Sequence, residues 1–221
     1  MLALTLAACQ APTPVKPLPS PPEPPNAAGL VPLPCGGDAP VRPVSHGYCL
    51  TRHNYVTPAA RAALLAAAAG VAEAYPGAVV RYMDASWPQG TRPMPPHLSH
   101  GDGREIDLAV FFVSADSRPL SGPPTLSGYN AFEPPRRKAE RVCVRVKGPH
   151  QQPDPPASRA WRLDTARTAD LVRRLTADRR VRRVFIEPHL KARLGFAHDP
   201  KVRFAGCQAA RHDDHMHVDF R

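Results

Sequence analysis

An acidic residue stands at the entrance of an apolar run in this chain, and that placement constrains the fold more than any other feature. The stretch reads Pro96-His97-Leu98-Ser99-His100-Gly101-Asp102-Gly103-Arg104-Glu105-Ile106-Asp107-Leu108-Ala109-Val110-Phe111-Phe112. Its opening prolines keep the preceding residues out of helix, so His97 and His100 are expected in a turn. Its close, Ile106 to Phe112, reads as a buried strand. Burying the Asp107 carboxylate without a partner is costly. A metal ion would be such a partner, and His100 is close enough in sequence to share it. Gly101 and Gly103 let the backbone fold His100 back toward Asp107.

Two ligands do not complete a site, and the best source of a third is Arg211-His212-Asp213-Asp214-His215-Met216-His217-Val218-Asp219-Phe220-Arg221. If His215 to Phe220 is a strand, the period of two puts His215 and His217 on one face and Met216 and Val218 on the other. One histidine can then bind metal while the other stands beside a metal-bound water. Three nitrogen and carboxylate ligands with an open fourth position are the pattern of catalytic zinc. The alternative is a scatter of unrelated surface histidines. Either segment alone would favour it, but five of the ten histidines fall in the two segments together.

The paired text His-x6-Asp, then far downstream His-x-His, resembles the zinc peptidases that cut peptidoglycan peptides, the group of lysostaphin-type endopeptidases and D-alanyl-D-alanine peptidases. Within it the chain is most similar to the penicillin-insensitive murein endopeptidase family. The shared residues are Ser99-His100, Gly103 and Asp107, with His97 upstream, then His212, Asp214, His215, Met216 and His217. Val184-Phe185-Ile186 with Pro188 and the continuation to Leu194, and Met83-Asp84 with Pro88, are similar too. The resemblance covers about residues 46–221. It implies Zn2+ held by His100, Asp107 and His217, acting on peptidoglycan stem peptides.

Hydrolysis also needs a base for the attacking water and an acid for the leaving amine. Asp214 and His215 are the candidates, since an acid three residues before the last zinc histidine does this work in some relatives. His215 can instead polarise the water or stabilise the tetrahedral oxyanion. His212 and His97 match further family histidines and either orient the site, contact substrate or serve the fold. Glu105 shares the strand face of Asp107, as a partner of the ligands or a solvated acid. Asp219 extends the face of His215 and His217.

Residues 1–8 followed by Cys9 look like the export signal and lipidation cysteine of a bacterial lipoprotein, although the segment is short and lacks a leading basic residue. A lipid on Cys9 would tie the chain to the outer membrane on its periplasmic side. Residues 9–44 read as a tether: 10–44 hold twelve of the 29 prolines and few large apolar groups. Stretched as polyproline, they would span on the order of 100 Å. Setting Cys9 aside leaves Cys35, Cys49, Cys143 and Cys207, enough for two disulfides in an exported protein. Three pairings are open; Cys35 with Cys49 and Cys143 with Cys207 is the expectation. No cysteine zinc spacing occurs. The net charge of +10 does not point to nucleic acid, because aromatics are only 6% and no recognition motif is present.

Residues 45–221 suit one domain with its own core. Thr57-Pro58 starts a helix that ends near Tyr75. Ala78 to Asp84 reads as a strand, 114–139 as a surface loop, and Arg141 to Lys147 as a strand with one buried face. Asp164 or Thr165 caps a helix to about Asp178, and Val181 to Ile186 is a further strand. Gly195 to Arg211 is irregular, with His198 on the surface. The expected fold is α+β, a central antiparallel sheet carrying the zinc site between helices and long loops. The expected activity is a zinc-dependent murein endopeptidase. A D,D-carboxypeptidase or dipeptidase with the same site, and a non-catalytic wall-binding lipoprotein, are the alternatives.

Overall fold

The computed structural model describes residues 23–143, 153–156 and 159–221. In chain order the elements are β1 (Val31–Pro32), β2 (Val41–Pro43), α1 (Gly47–Leu50), β3 (Tyr55–Val56), α2 (Pro58–Ala74), β4 (Val80–Tyr82), β5 (Glu105–Ala109) and β6 (Phe112–Ser114). Then come β7 (Trp161–Leu163), α3 (Thr165–Ala177), β8 (Val181–Phe185), α4 (Pro188–Arg193), β9 (Val202–Arg203) and β10 (His215–Phe220). The fold is α+β, as the sequence implies.

Six strands form the main sheet in the order β2-β4-β5-β10-β8-β9. The inner four are antiparallel. The two edges are not: β2 runs parallel to β4 and β9 parallel to β8. Each parallel pair is joined through helix, β2 to β4 by way of α1 and α2 and β8 to β9 by way of α4, and such crossovers return the chain in its original direction.

The two long helices cover one face of this sheet. Thr57 caps α2 by accepting the Ala60 N–H on its hydroxyl, with Pro58 filling the first turn where no N–H is needed. One stripe of α2, including Ala60, Leu64, Ala67 and Val71, is buried. Asp164 caps α3 in the same way through the Arg167 N–H, and Leu171, Val172 and Leu175 face inward. Met216, Val218 and Phe220 of β10 meet this core, so His215, His217 and Asp219 must point to the opposite face.

Three sequence expectations are corrected. Residues 26–43 are part of the folded domain rather than a tether. Asn26 donates to the Pro88 carbonyl at 2.9 Å, Leu30, Leu33 and Val41 are buried, and β2 is an edge strand. An edge strand tolerates proline because one row of its N–H groups faces away from the sheet, which is how Pro43 enters a ladder. The segment 114–139 is more than a surface loop, because Ala131, Phe132 and Glu133 are buried. Glu133 is clamped by Arg159 and, at 2.7 Å, by Arg193. Arg141 to Cys143 lie outside any strand, and the rest of that expected strand lies outside the described residues. So do the expected export signal, Cys9 and the tether up to residue 22.

Both expected disulfides are formed, Cys35–Cys49 and Cys143–Cys207. His198 is exposed, as expected. Among the described residues, no helix is long and apolar enough to cross a membrane.

Candidate metal centre

The core-averted face of β5 and β10 is the floor of a cleft of about 970 Å³, walled by residues 96–104, 129–132 and 205–212. His217 and Asp107 are direct cross-strand partners, as are Asp219 and Glu105. Antiparallel pairing therefore brings the two motifs together although 110 residues separate Asp107 from His217.

His100 reaches the same point from the preceding turn. Two glycines make that turn possible. Gly101 has φ of +136°, and a Cβ there would meet the Thr91 carbonyl oxygen at 2.1 Å. Gly103 has φ of +77° and lies against Leu30 and the backbone of Val56 and Thr57. Each position excludes a side chain by conformation and by backbone contact.

Three donor atoms converge on the floor. His217 Nδ1 lies 2.9 Å from Asp107 Oδ1 and 3.1 Å from His100 Nε2, and His100 Nε2 lies 3.4 Å from Asp107 Oδ1. Ligands about 2.0–2.1 Å from a tetrahedral zinc are spaced about 3.3 Å from one another. The His100 ring has a determined tautomer: its Nδ1 donates to the Ala85 carbonyl at 2.7 Å, leaving the Nε2 lone pair for the cluster. All three residues are buried. His97 stands beside them, and donor atoms of His97, His100 and Asp107 lie within 4.8 Å of one another. This His-His-Asp grouping can hold a metal ion. His97 is the looser member, 3.8 Å from Asp107 Oδ2 through Nδ1, while its Nε2 is 3.2 Å from Asp84 Oδ2.

Burial and charge act in opposite directions on the residues of this cluster. Burial opposes the Asp107 charge, but the charges of His100 and His215 and hydrogen bonds from His100 and His217 hold its carboxyl well below the ordinary range. Burial depresses the His217 imidazole despite Asp107. For His100 burial acts the same way, but Asp107 outweighs it and the imidazole is raised.

His215 lies beside the cluster without joining it. Its Nε2 is 3.9 Å from Asp107 Oδ1, and its Nδ1 is 2.5 Å from Asp214 Oδ1. Burial works against its charge, yet Asp214 and then Asp107 push its imidazole up to about 9. Asp214 accepts the Asn130 N–H at 2.5 Å on its other oxygen, so both its oxygens are engaged. His212 packs its ring on His215, with centroids 4.8 Å apart, and its backbone N–H donates to Glu187 at 3.2 Å.

Glu105 is neither solvated nor among the donors. It is buried, with Oε1 paired to Arg92 and Oε2 lacking a hydrogen-bond partner among the described residues. Burial pushes its carboxyl up to about 7 against the attraction of Arg92. Asp219 is paired with Arg183 at 2.8 Å.

Tyr129 was not legible as a site residue. Its hydroxyl lies 2.7 Å from Asp107 Oδ2 and 3.0 Å from Asp84 Oδ2, and its ring stands edge-on to His215. Burial raises its phenol far above the ordinary value, with Asp107 and Asp84 adding to the effect, so it is a donor here. His53 completes the group by holding Asp84 Oδ1 at 2.8 Å. Neither Tyr129 nor His53 falls in a motif; Asp84 does, as part of Met83-Asp84.

No protein-family model matches the chain, and no curated protein matches it.

Proposed function

We propose that this protein is a zinc-dependent endopeptidase of peptidoglycan cross-links. The convergence of His100 Nε2, Asp107 Oδ1 and His217 Nδ1 on a cleft floor, with His215 next to them, carries the reading. The donor set, two imidazoles and one carboxylate without thiolate, suits zinc with an open position. The paired motifs of the resemblance support peptidoglycan as substrate. The two disulfides fit an oxidising compartment outside the cytoplasm. Lipidation at Cys9 and attachment to the outer membrane are part of the same proposal and rest on the sequence.

Zinc at this position would polarise the scissile carbonyl and acidify the attacking water. His215 handles the proton. Asp214 fixes its Nδ1–H, so exchange occurs at Nε2, the atom turned toward the cluster. Neutral, His215 accepts a proton from the attacking water; charged, it returns one to the leaving amine. Asp214 stabilises the charged form, as an acid beside a catalytic histidine does. Tyr129 keeps Asp107 Oδ2 occupied and turns Oδ1 to the site.

The test is digestion of purified sacculi by the zinc-loaded protein, by the chelated protein and by His217→Ala, with the muropeptides resolved chromatographically. Loss of cross-linked dimers with the loaded wild type alone is expected. Shortening of pentapeptide monomers instead would make the enzyme a carboxypeptidase. An unaltered sacculus with zinc bound would make it a binding protein.

A further inference from the structure

At the edge of the main sheet farthest from β9, two arginines stand side by side. Arg42 of β2 and Arg81 of β4 are register partners in a parallel ladder, so their side chains leave the same face about 4.8 Å apart. That face is turned from the core, because Val41, Val80 and Tyr82 supply the buried side. Both arginines are partly exposed, and neither lines the cleft of the donor cluster. Two carbonyls hold Arg81 in place: its Nε donates to Ser121 at 3.0 Å and its Nη1 to Pro43 at 3.2 Å. Arg42 has no hydrogen-bond partner among the described residues. Only its Nε is enclosed, so the two nitrogens at the end of the fork are open to solvent.

No acid of this chain neutralises the pair. All nineteen aspartates and glutamates lie among the described residues, and none forms an ion pair with Arg42 or Arg81. Burial lowers the Arg81 guanidinium, and the charge of Arg42 adds to the effect. Like charges directly opposite one another on a sheet are destabilising. A bound anion would remove that repulsion.

We propose that Arg42 and Arg81 form a binding site for a terminal phosphate group. Such a group carries nearly two negative charges and three acceptor oxygens at neutral pH, which two adjacent guanidinium groups match. The open end of the Arg42 fork can take two of the oxygens in parallel. Arg81 uses Nε and one hydrogen of Nη1 on the carbonyls that fix it, leaving Nη2 for the ligand. A carboxylate brings one charge and leaves the pair half compensated. Inorganic phosphate and the phosphate monoester of a lipid headgroup present the same chemistry. The site follows from the register of two edge strands and is independent of the metal reading.

The test combines calorimetric titration and urea unfolding of the full chain in chelator, which keeps metal from competing for phosphate. Inorganic phosphate is the probe, with chloride at matched ionic strength as the reference. Wild type should bind about one phosphate and unfold at a higher urea concentration in phosphate than in chloride. Arg42→Gln should bind about tenfold more weakly and lose the phosphate-dependent rise. In chloride it should be at least as stable as wild type, because its repulsion with Arg81 is gone. A variant that is less stable than wild type by the same margin in both salts would make Arg42 a residue of the fold and overturn the site. If Arg42→Gln does not fold, Arg42→Lys carries the test, since it keeps the charge and loses the fork. Its phosphate affinity should fall, and a wild-type affinity overturns the site. Sedimentation with phosphatidylcholine vesicles, with and without phosphatidic acid, separates the two sources. Cosedimentation that needs phosphatidic acid and is reversed by inorganic phosphate identifies a lipid phosphate; phosphate binding without cosedimentation identifies a soluble one. Equal phosphate affinity in wild type and Arg42→Gln overturns the proposal.

Discussion

The Tyr129 hydroxyl sits 2.7 Å from Asp107 Oδ2, while Oδ1 of the same carboxylate faces His217 Nδ1 at 2.9 Å. A phenol donating to one oxygen leaves the other to a cation, and it fixes the plane of the carboxylate as it does so. Removing that hydroxyl should loosen the site without unfolding it. Tyr129→Phe is expected to weaken zinc affinity about 10–100-fold, the usual effect of losing a group that orients a metal ligand. Competition against a chromogenic chelator measures this, and an unchanged affinity would show that Asp107 needs no such support.

The proton-handling pair should separate from the ligands. His215→Ala is expected to retain zinc and lose about 10²–10⁴-fold in hydrolysis. Asp214→Asn should follow it in direction, because it removes the charge that supports the His215 imidazolium. His97→Ala and His212→Ala should cost about 10–100-fold as residues that orient neighbours. Metal content and rate, taken together for each variant, decide the assignment. Loss of zinc from His215→Ala with retention in His217→Ala would invert the roles along β10.

The sequence carried the local parts of this site and missed the parts that depend on long-range topology. Asp107 at a strand entrance, the glycines after His100 and the alternation from His215 to Asp219 are all local patterns, and each puts its residue where the structure has it. The Thr57 and Asp164 caps were legible for the same reason. Tyr129 was not, because it lies in a Pro/Gly/Ser-rich connection whose route to the cleft is set by distant packing. Strand β2 was hidden by its prolines, which an edge position tolerates. The parallel direction of β2 and β9 could not be read because alternation and apolar runs carry no strand polarity.

The corrected boundary has its own consequence. A chain beginning at residue 45 loses β2, the buried Leu33 and Val41, and the Cys35–Cys49 disulfide. Loss of such a disulfide alone costs about 2–5 kcal/mol. The shortened protein should unfold at markedly lower urea concentration than the full chain. Equal midpoints would show that residues 30–43 add nothing to the domain.

His189 predicts the pH dependence of the fold away from the metal. Its side chain, on α4, is 5% exposed, and its Nε2 donates to the Glu133 carbonyl at 2.7 Å. Burial lowers its imidazole below the ordinary value, and Arg193 and Arg211 act in the same direction. The unfolded chain, with a histidine pKa of about 6.5, then binds the proton first. Its contribution to stability is complete above about pH 6.5 and is lost as the pH falls through that value toward the folded pKa. Urea unfolding of chelated protein should show this loss between about pH 7 and 5, and His189→Gln, which keeps an N–H donor, should show less of it. Parallel curves for the two proteins would assign the loss elsewhere.

The central claim is that His100, Asp107 and His217 hold a metal ion, and metal stoichiometry tests it most directly. Zinc-reconstituted and desalted wild type should carry about one zinc per chain, as a three-ligand site does. His217→Ala, with its fold checked by circular dichroism, should carry essentially none. Equal zinc in the two proteins, or a folded wild type that retains none, would contradict the account.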